Sequence, residues 1–560
     1  MPVVLVCYLF EKWRCRKYFC IFYYARRVKK DERRVYMSLI SVNNLTFHYE
    51  GSSDNIFEDV SFQIDTNWKL GFVARNGRGK TTFLKLLMGE YEYRGNISCE
   101  ESFDYFPFSI QDKEKTFLEN IDEIYPEYEL WKLCKELSLL RVEEDVLYRP
   151  FCTLSNGEQT KVMLAALFSQ DNKFLLIDEP TNHLDVRGRE NIRDYLKQKN
   201  GFILVSHDRD ILDQCVDHIL VINKTNIEIY RGNFSTWWEE KKRKDNWELQ
   251  ENEKLKKDIK RLEQSARVKE EWADQIESKK IGRKAAEEVK KKGMSNKGRR
   301  AYIGEKTRKM EKRRKNLEHR EEKAIEEKSG LLKNLETVED LKLFPLRHYK
   351  EVLVNLSDVC IYYEHADGSR RNLGKVNFEV KNGECVVLHG KNGCGKSSIL
   401  KAVIQTAEEK ADREMEQSMS LADPIRYTGT ITTAGGLKIS YVPQDTSHLK
   451  GSLADYAEKY QLNLTNFLML LRKLDLGRGQ FEKNMEDYSG GQKKKVLIAR
   501  SLCEQAHLYI WDESLNFIDV FSKMQIEELL MKYRPTMLLV EHDAAFVEKV
   551  GTKIVNIGST

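Results

Sequence analysis

No stretch of this chain comes near the ~18 consecutive apolar residues of a bilayer-spanning helix. Charged residues make up 32% of its 560 positions and the mean hydropathy is −0.59, which argues against an integral membrane carrier and for a soluble protein. The 11 cysteines show no paired metal spacing, and several sit in apolar stretches (Cys385, Cys503), so they read as reduced thiols of a cytosolic protein. Proline is missing from Trp237 to Phe344, where a long charged segment separates two more apolar parts. At this length a single core is excluded; two core-forming domains plus the charged segment are expected.

The first 36 residues hold a short apolar run followed by mixed basic and aromatic residues. A signal peptide would place its charge before the apolar run and end at small residues, and this stretch does neither. It reads either as a basic membrane or RNA contact or as sequence upstream of a true start at Met37. The ordered pattern beginning just afterwards, SLISVNNLTFHY, favours the second. An intact mass of the native protein separates the two.

The charged segment, residues 237–345, carries thin apolar periodicity. Leu255, Ile259, Leu262 and Ala266 step by helical intervals, and Ile303, Met310, Leu317, Ala324, Leu331 and Val338 recur every seventh residue. This predicts two helices folded back on each other, the first running from Trp238 to about Ile276, roughly 58 Å at ~1.5 Å per residue. Gly282, Gly293, Gly298 and Gly304 put the hairpin tip within 279–315, which holds 17 Lys/Arg against 4 Asp/Glu, a net +13. The whole chain is +5 and residues 1–36 contribute +7, so without leader and tip the remainder is about −15. An acidic body with one basic end is repelled by nucleic acid everywhere except at that end, which favours a prong for nucleic-acid phosphates over a merely solvated coiled coil.

In residues 37–236, KLGFVARNGRGKTTFLKLL reads as a buried strand, a Gly-rich turn and a helix. Backbone N–H groups around Asn76–Lys80 would wrap a β-phosphate, Lys80 would reach the β/γ oxygens and Thr81 would hold Mg²⁺. Gly77 and Gly79 let the backbone approach closely, while Ala74 stands where such loops usually open with Gly. FLLIDEPTNHLD is a buried strand ending in acids: Asp178 for Mg²⁺ through water, Glu179 to orient or deprotonate the attacking water. LSNGEQ precedes a helical run, and His207 ends a further apolar strand.

The same order returns in residues 346–560. VLHGKNGCGKSSILKAV supplies Gly390, Asn392, Gly393, Gly395, Lys396, Ser397 and Ser398; YSGGQ supplies Ser489, Gly491 and Gln492; LYIWDESLNFID supplies Asp512, Glu513 and Asp519; LLVEHD supplies His542. Ser155 to Glu179 and Ser489 to Glu513 are both 24 residues, so two copies of one fold are present.

With these motifs in place, each half resembles an ATP-binding-cassette nucleotide-binding domain. The resemblance implies an α/β fold with two tandem cassettes joined by a long antiparallel helical hairpin, ATP and Mg²⁺ as cofactors, and ATP hydrolysis. It makes Glu179 and Glu513 the catalytic bases, His207 and His542 the switch histidines, and Asp185 a D-loop residue. It implies that Tyr49 and Tyr363 stack on adenine and that Ser155, Gly157 and Gln159, or Ser489, Gly491 and Gln492, reach the nucleotide held by the opposite phosphate loop. Thr82 and Ser398 join the phosphate contacts, and Gln444 joins Thr81, Asp178, Ser397 and Asp512 around Mg²⁺. The departures are specific. Tyr441-Val442-Pro443 leads into Gln444, whereas Tyr105-Phe106-Pro107 leads into Phe108; Gln111 is near but out of register. Tyr488 replaces the usual Leu, Ser514 the usual Pro, and residues 405–426 are expected to form a surface insertion.

Two cassettes around a charged hairpin resemble the ABC-F proteins, ATPases that act on ribosomes. Lys80 to Ser155 spans only 75 residues, too few for the long arm of the housekeeping members, while the interdomain segment is long. That combination is similar to the antibiotic-resistance branch acting against lincosamides, streptogramin A and pleuromutilins. The resemblance then implies a cytoplasmic monomer with an intramolecular cassette dimer, no membrane and no obligate protein partner. Its partner would be the bacterial 70S ribosome: large-subunit rRNA, the exit-site region and P-site tRNA. A housekeeping translation factor, a transporter ATPase subunit and a DNA-repair or chromosome ATPase are the competing classes.

Overall fold

The computed structural model describes residues 38–50, 55–171, 173–182, 184–222, 227–280, 341–364, 370–372, 374–412 and 425–558. The chain divides into two units, one made of residues up to Ser235 and from Glu339, the other Thr236–Val338.

The first unit contains two α/β cores of one plan. In the first, strands lie in the order Ser102–Phe106, Lys173–Asp178, Phe202–Val205, Lys69–Val73, His218–Ile222 and Ile227–Arg231. The first five are parallel and the last pairs antiparallel. In the second, Ile439–Val442, Leu508–Asp512, Met537–Val540, Cys385–His389 and Lys553–Asn556 repeat the order, all parallel. The central strands are apolar throughout (Phe202–Val205 and Met537–Val540 are buried at every position) because elements cover both sheet faces. A smaller antiparallel sheet accompanies each core: Leu39–Phe47 between Phe57–Asp65 and Arg94–Ser98 in one, Val352–Glu364 with Val376–Lys381 and Tyr427–Thr433 in the other.

Three expectations shift. Leu341 and Leu343 are buried in the second core, so its packing begins ahead of the Phe344-Pro345 break. Residues 405–412 continue the helix Lys396–Asp412, with Thr406 and Ala407 buried, instead of opening a surface insertion; its remainder, 413–424, lies outside the described residues. In the second unit the helix runs Phe234–Lys280, 47 residues or roughly 70 Å at ~1.5 Å per residue, longer than the apolar periodicity predicts. Lys241 and Lys242 lie over the rings of Trp237 and Trp238 four residues earlier, so cation–π contacts support the first turns of this helix. The expected tip, the second hairpin helix and residues 1–36 fall outside the described residues.

Candidate functional site

Each phosphate loop joins the central strand of a core to a helix start. Gly79 caps Lys80–Leu87 at φ 87° with no side-chain cap, leaving the first N–H groups free for an anion. A Cβ there would lie 2.6 Å from the Ile56 side chain, so both backbone angle and space demand glycine. Lys80 folds back over its loop, donating to the Ala74 carbonyl at 2.8 Å and to Asn76 Oδ1 at 3.2 Å. Lys396 does likewise to the carbonyls of Gly390 and Lys391 at 2.9 and 3.0 Å. The loop hydroxyls meet the strand-end acids: Thr81 donates to Asp178 at 2.9 Å and Ser397 to Asp512 at 3.0 Å. A hydroxyl beside a carboxylate, both hard oxygen donors, suits Mg²⁺ carried by a phosphate.

The next residue in each strand is the expected base. Glu179 and Glu513 both hold a left-handed backbone, φ 52° and 45°, rare for a residue with a Cβ and typical of functional positions. His207 Nε2 lies 3.3 Å from Glu179 Oε1, and His542 Nε2 lies 3.3 Å from Glu513 Oε1. Glu179 Oε1 and both ring nitrogens of His542 are buried without a hydrogen-bond partner among the described residues. Unsatisfied polar atoms converging on a phosphate loop are what a bound nucleotide and its water would complete.

The sites join the two cassettes. A cavity of about 400 Å³ is walled by Gly393, Lys396, Ser397, Gln444 and Glu513 of the second cassette and by Asn156 and Leu184 of the first. Across the other site, Asn76 Nδ2 donates to the Phe517 carbonyl at 3.0 Å. A Cβ on Gly491 would lie 2.5 Å from that carbonyl and 3.2 Å from Asn76 Nδ2, so this glycine lets the cassettes meet. The signature helices begin alike. Ser155 and Glu158, and Ser489 and Gln492, form reciprocal capping boxes. Gln492 therefore matches Glu158 and not Gln159. Gln159 donates to the carbonyls of Phe151 and Leu154 at 3.1 and 3.0 Å, bracing its own loop in place of the expected nucleotide contact. Gln492, likewise, is engaged by its own cap, accepting from Ser489 N at 2.9 Å. Gly157 sits in the first turn near Leu184, and Asp185 caps the helix Val186–Leu196.

Tyr49 is partly exposed, packs edge-on against Phe47 and Tyr91, and shares a 2.7 Å hydrogen bond with Thr82. The Tyr363 side chain lies outside what is described. Ser398 and Asn392 line the second-cassette cavity. Gln444 donates to Glu513 at 2.8 Å, while Phe108 meets Tyr125 edge-on and Tyr105 donates to Asp178 at 3.0 Å.

Electrostatics separate the two sites. Burial, reinforced by Asp178, pushes Glu179 up to about 8. Burial also acts on Glu513, but contact with His542 and the charge of Lys396 outweigh it and hold Glu513 below the ordinary carboxylate range. Burial and the nearby Lys80 press His207 well below its usual value, leaving its imidazole neutral. Burial raises Asp512 to about 6.

Several residues at these sites carry no motif signal. Asn516 donates to Glu513 at 3.0 Å, and Lys494 to the Pro443 carbonyl at 3.1 Å. Ser514, the replacement for Pro, donates to Glu541 at 3.3 Å, and Leu515 N donates to it at 2.9 Å. Comparing LLVEHD with ILVSHD could have flagged Glu541, since Ser206 fills that place in the first copy.

The ABC transporter family model matches residues 57–182 and 373–516, one match per core. The chain carries two ATP-binding-cassette domains and is a tandem-cassette ATPase. Over 523 residues it is 25% identical to the ribosome protection protein VmlR of Bacillus subtilis (strain 168), covering 91% of this chain and 85% of that one. It is 28% identical to the erythromycin resistance ATP-binding protein MsrA of Staphylococcus epidermidis, covering 87% and 91%. Among solved structures, the archaeal ribosome recycling factor aABCE1 in complex with the stalk protein aP1 superposes with a TM-score of 0.54 at 18% identity, covering 92% and 87%, a likeness of fold. Both relatives align along nearly the whole chain, so the similarity takes in both cassettes and the segment between them. No helix among the described residues is long and apolar enough to cross a membrane.

Proposed function

We propose that this ATPase binds the bacterial ribosome and uses the segment between its cassettes to displace ribosome-targeting antibiotics. The observation that carries the ribosomal part is the charge partition: +13 within 279–315 against about −15 over the rest from Met37 on. A basic end beside a 47-residue helix is suited to reach into RNA, and an acidic body keeps other faces away. Similarity to the ribosome protection protein VmlR and the erythromycin resistance protein MsrA supports the resistance reading.

ATP with Mg²⁺ supplies the cleavable phosphoanhydride. Lys80 and Lys396 would hold phosphate oxygens, Thr81 with Asp178 and Ser397 with Asp512 and Gln444 would hold the cation, and Glu179 and Glu513 would accept the proton of the attacking water. His207 and His542 hold those carboxylates in position, and the starts of the opposite signature helices, Ser489 with Gly491 and Ser155 with Gly157, close each site. Closure of the cassettes directs the segment they flank, and hydrolysis releases the closed state.

Glu179→Gln combined with Glu513→Gln traps the protein on 70S particles in ATP; a double variant as free of them in a sucrose gradient as the parent would falsify the scheme. Expression in a drug-sensitive host then separates a resistance factor from an ABC-F translation factor without a drug role. Relatives of similar identity that bear no resistance name, such as the ATP-binding protein Uup of Buchnera aphidicola at 24%, support that second reading. Removing 279–315 abolishes protection and leaves ATP hydrolysis largely intact; protection persisting without it sinks the prong.

A further inference from the structure

At the cassette interface lies a buried charged group that stands outside the phosphate loops, the strand-end acids and the switch histidines. Lys523 stands four residues past Asp519 on the helix Val520–Tyr533 of the second cassette. Its ammonium donates to the His207 carbonyl of the first cassette at 3.1 Å and lies 3.4 Å from Asp543 of its own cassette. Asp543 directly follows His542, so one buried cation touches the switch segments of both hydrolytic sites.

The arrangement is one-sided. Arg189, four residues past Asp185, is the equivalent of Lys523; its charge also acts on Asp543, but its hydrogen bonds stay in its own cassette, to the Leu184 carbonyl at 3.2 Å and to Asp208 at 3.3 Å. Arg209, two residues past His207, crosses to Glu527 as a bidentate pair; the position two past His542 is Ala544, which offers no such link. Both polar cross-links therefore hold the His207 segment to the helix that starts at the other cassette's D-loop.

We propose that Lys523 is a positioning residue that couples the two ATP sites, so that the state of the His207 segment sets the position of the Asp543–His542 segment and the reverse. The physical basis is a single buried ammonium satisfying acceptors on both segments. If one segment moves, the ion loses an acceptor in a medium where an unsatisfied charge is costly, and the other segment follows. Coupling of this kind is reciprocal and amounts to ~5-fold or more.

The test needs only the purified full chain and ATP, and it rests on the assignment of Glu179 and Glu513 as bases. The factor by which Glu179→Gln slows steady-state hydrolysis is measured with Lys523 in place and with Lys523→Met, and likewise for Glu513→Gln. The expected result is that each factor is larger by about fivefold or more when Lys523 is present, and that Lys523→Arg restores the larger factor. Lys523→Gln, which keeps a donor for the His207 carbonyl without the charge, replaces the Met variant if that one does not fold. Equal factors in the two backgrounds overturn the coupling while leaving the base assignment standing. If neither glutamine variant slows hydrolysis, the base assignment falls and the coupling with it.

Discussion

Gln444 Nε2 donates to Glu513 Oε2 at 2.8 Å, and the equivalent position in the first cassette is Phe108, whose ring meets Tyr125 edge-on at 5.9 Å. Glu513 is thus steered by the Gln444 amide, and Glu179 has no such partner at the equivalent position. Gln444→Ala removes one of the two amides that hold Glu513 Oε2, leaving Asn516, and misplacement of a reacting group by about 1 Å costs up to ~100-fold. Combined with Glu179→Gln, which leaves only the Glu513 site, Gln444→Ala lowers hydrolysis between about tenfold and about 100-fold. Combined with Glu513→Gln it has little effect. Steady-state phosphate release from the two double variants checks this, and equal losses in both would contradict it.

The two bases also differ in when they are ionised. A general base works only deprotonated, and burial beside Asp178 lifts Glu179 to about 8, whereas Glu513 is held below the usual carboxylate range. In the Glu513→Gln protein, where Glu179 alone acts, activity rises with pH and reaches half its maximum near pH 8. In the Glu179→Gln protein it stays flat from about pH 7 to about pH 9, because Glu513 is ionised throughout and Asp512, lifted to about 6, is ionised above that value. Matching profiles for the two proteins would show that the sites share one environment.

Much of this site was legible in the sequence because phosphate binding depends on backbone shape. The Gly79–Lys80–Thr81 and Gly395–Lys396–Ser397 turns, the strand-end pairs Asp178–Glu179 and Asp512–Glu513 and the switch histidines are local patterns, and the structure brings each set together. Which residues of LSNGEQ and YSGGQ are equivalent is set by helix capping, which pairs Glu158, and not Gln159, with Gln492. Lys523, Arg209 and Glu527 carry no local pattern. Their meaning comes from contacts between residues more than 300 positions apart, which sequence periodicity does not record.

Glu541 makes stability depend on pH in a direction opposite to most acids. It is buried where the first copy has Ser206, and burial lifts it to about 7 although Leu515 N donates to it. A carboxyl with a raised value in the folded state binds its proton more tightly there than in the unfolded chain, whose value is near 4.5. Its stabilising contribution is complete below about pH 4.5 and is lost as pH climbs through about 7, on the order of 3 kcal/mol in all. Glu541→Gln copies the protonated form and removes this slope. Thermal unfolding of parent and variant therefore shows the variant gaining relative stability as pH rises from about 5 to about 8; a difference in Tm that does not change with pH would refute it.

The Arg209–Glu527 pair tests what holds the cassettes together. Both side chains are buried, at 6% and 4% exposure, and two guanidinium nitrogens engage the two carboxylate oxygens, with Lys549 3.5 Å from the Glu527 Oε2 that also accepts from Arg209. A buried pair of this kind contributes little beyond what well-packed apolar residues would, because desolvating both ions offsets most of their attraction. Removing one partner is different. Arg209→Met leaves the Glu527 carboxylate buried with only the half-exposed Lys549 near it, a loss of about 3–5 kcal/mol. Arg209→Met with Glu527→Leu removes both charges and recovers most of that loss. Chemical denaturation monitored by far-UV circular dichroism follows this order: parent and double variant close together, single variant well below. Should the double variant fall as far as the single, the pair would be a net stabiliser and the cassette contact more dependent on charge than its burial implies.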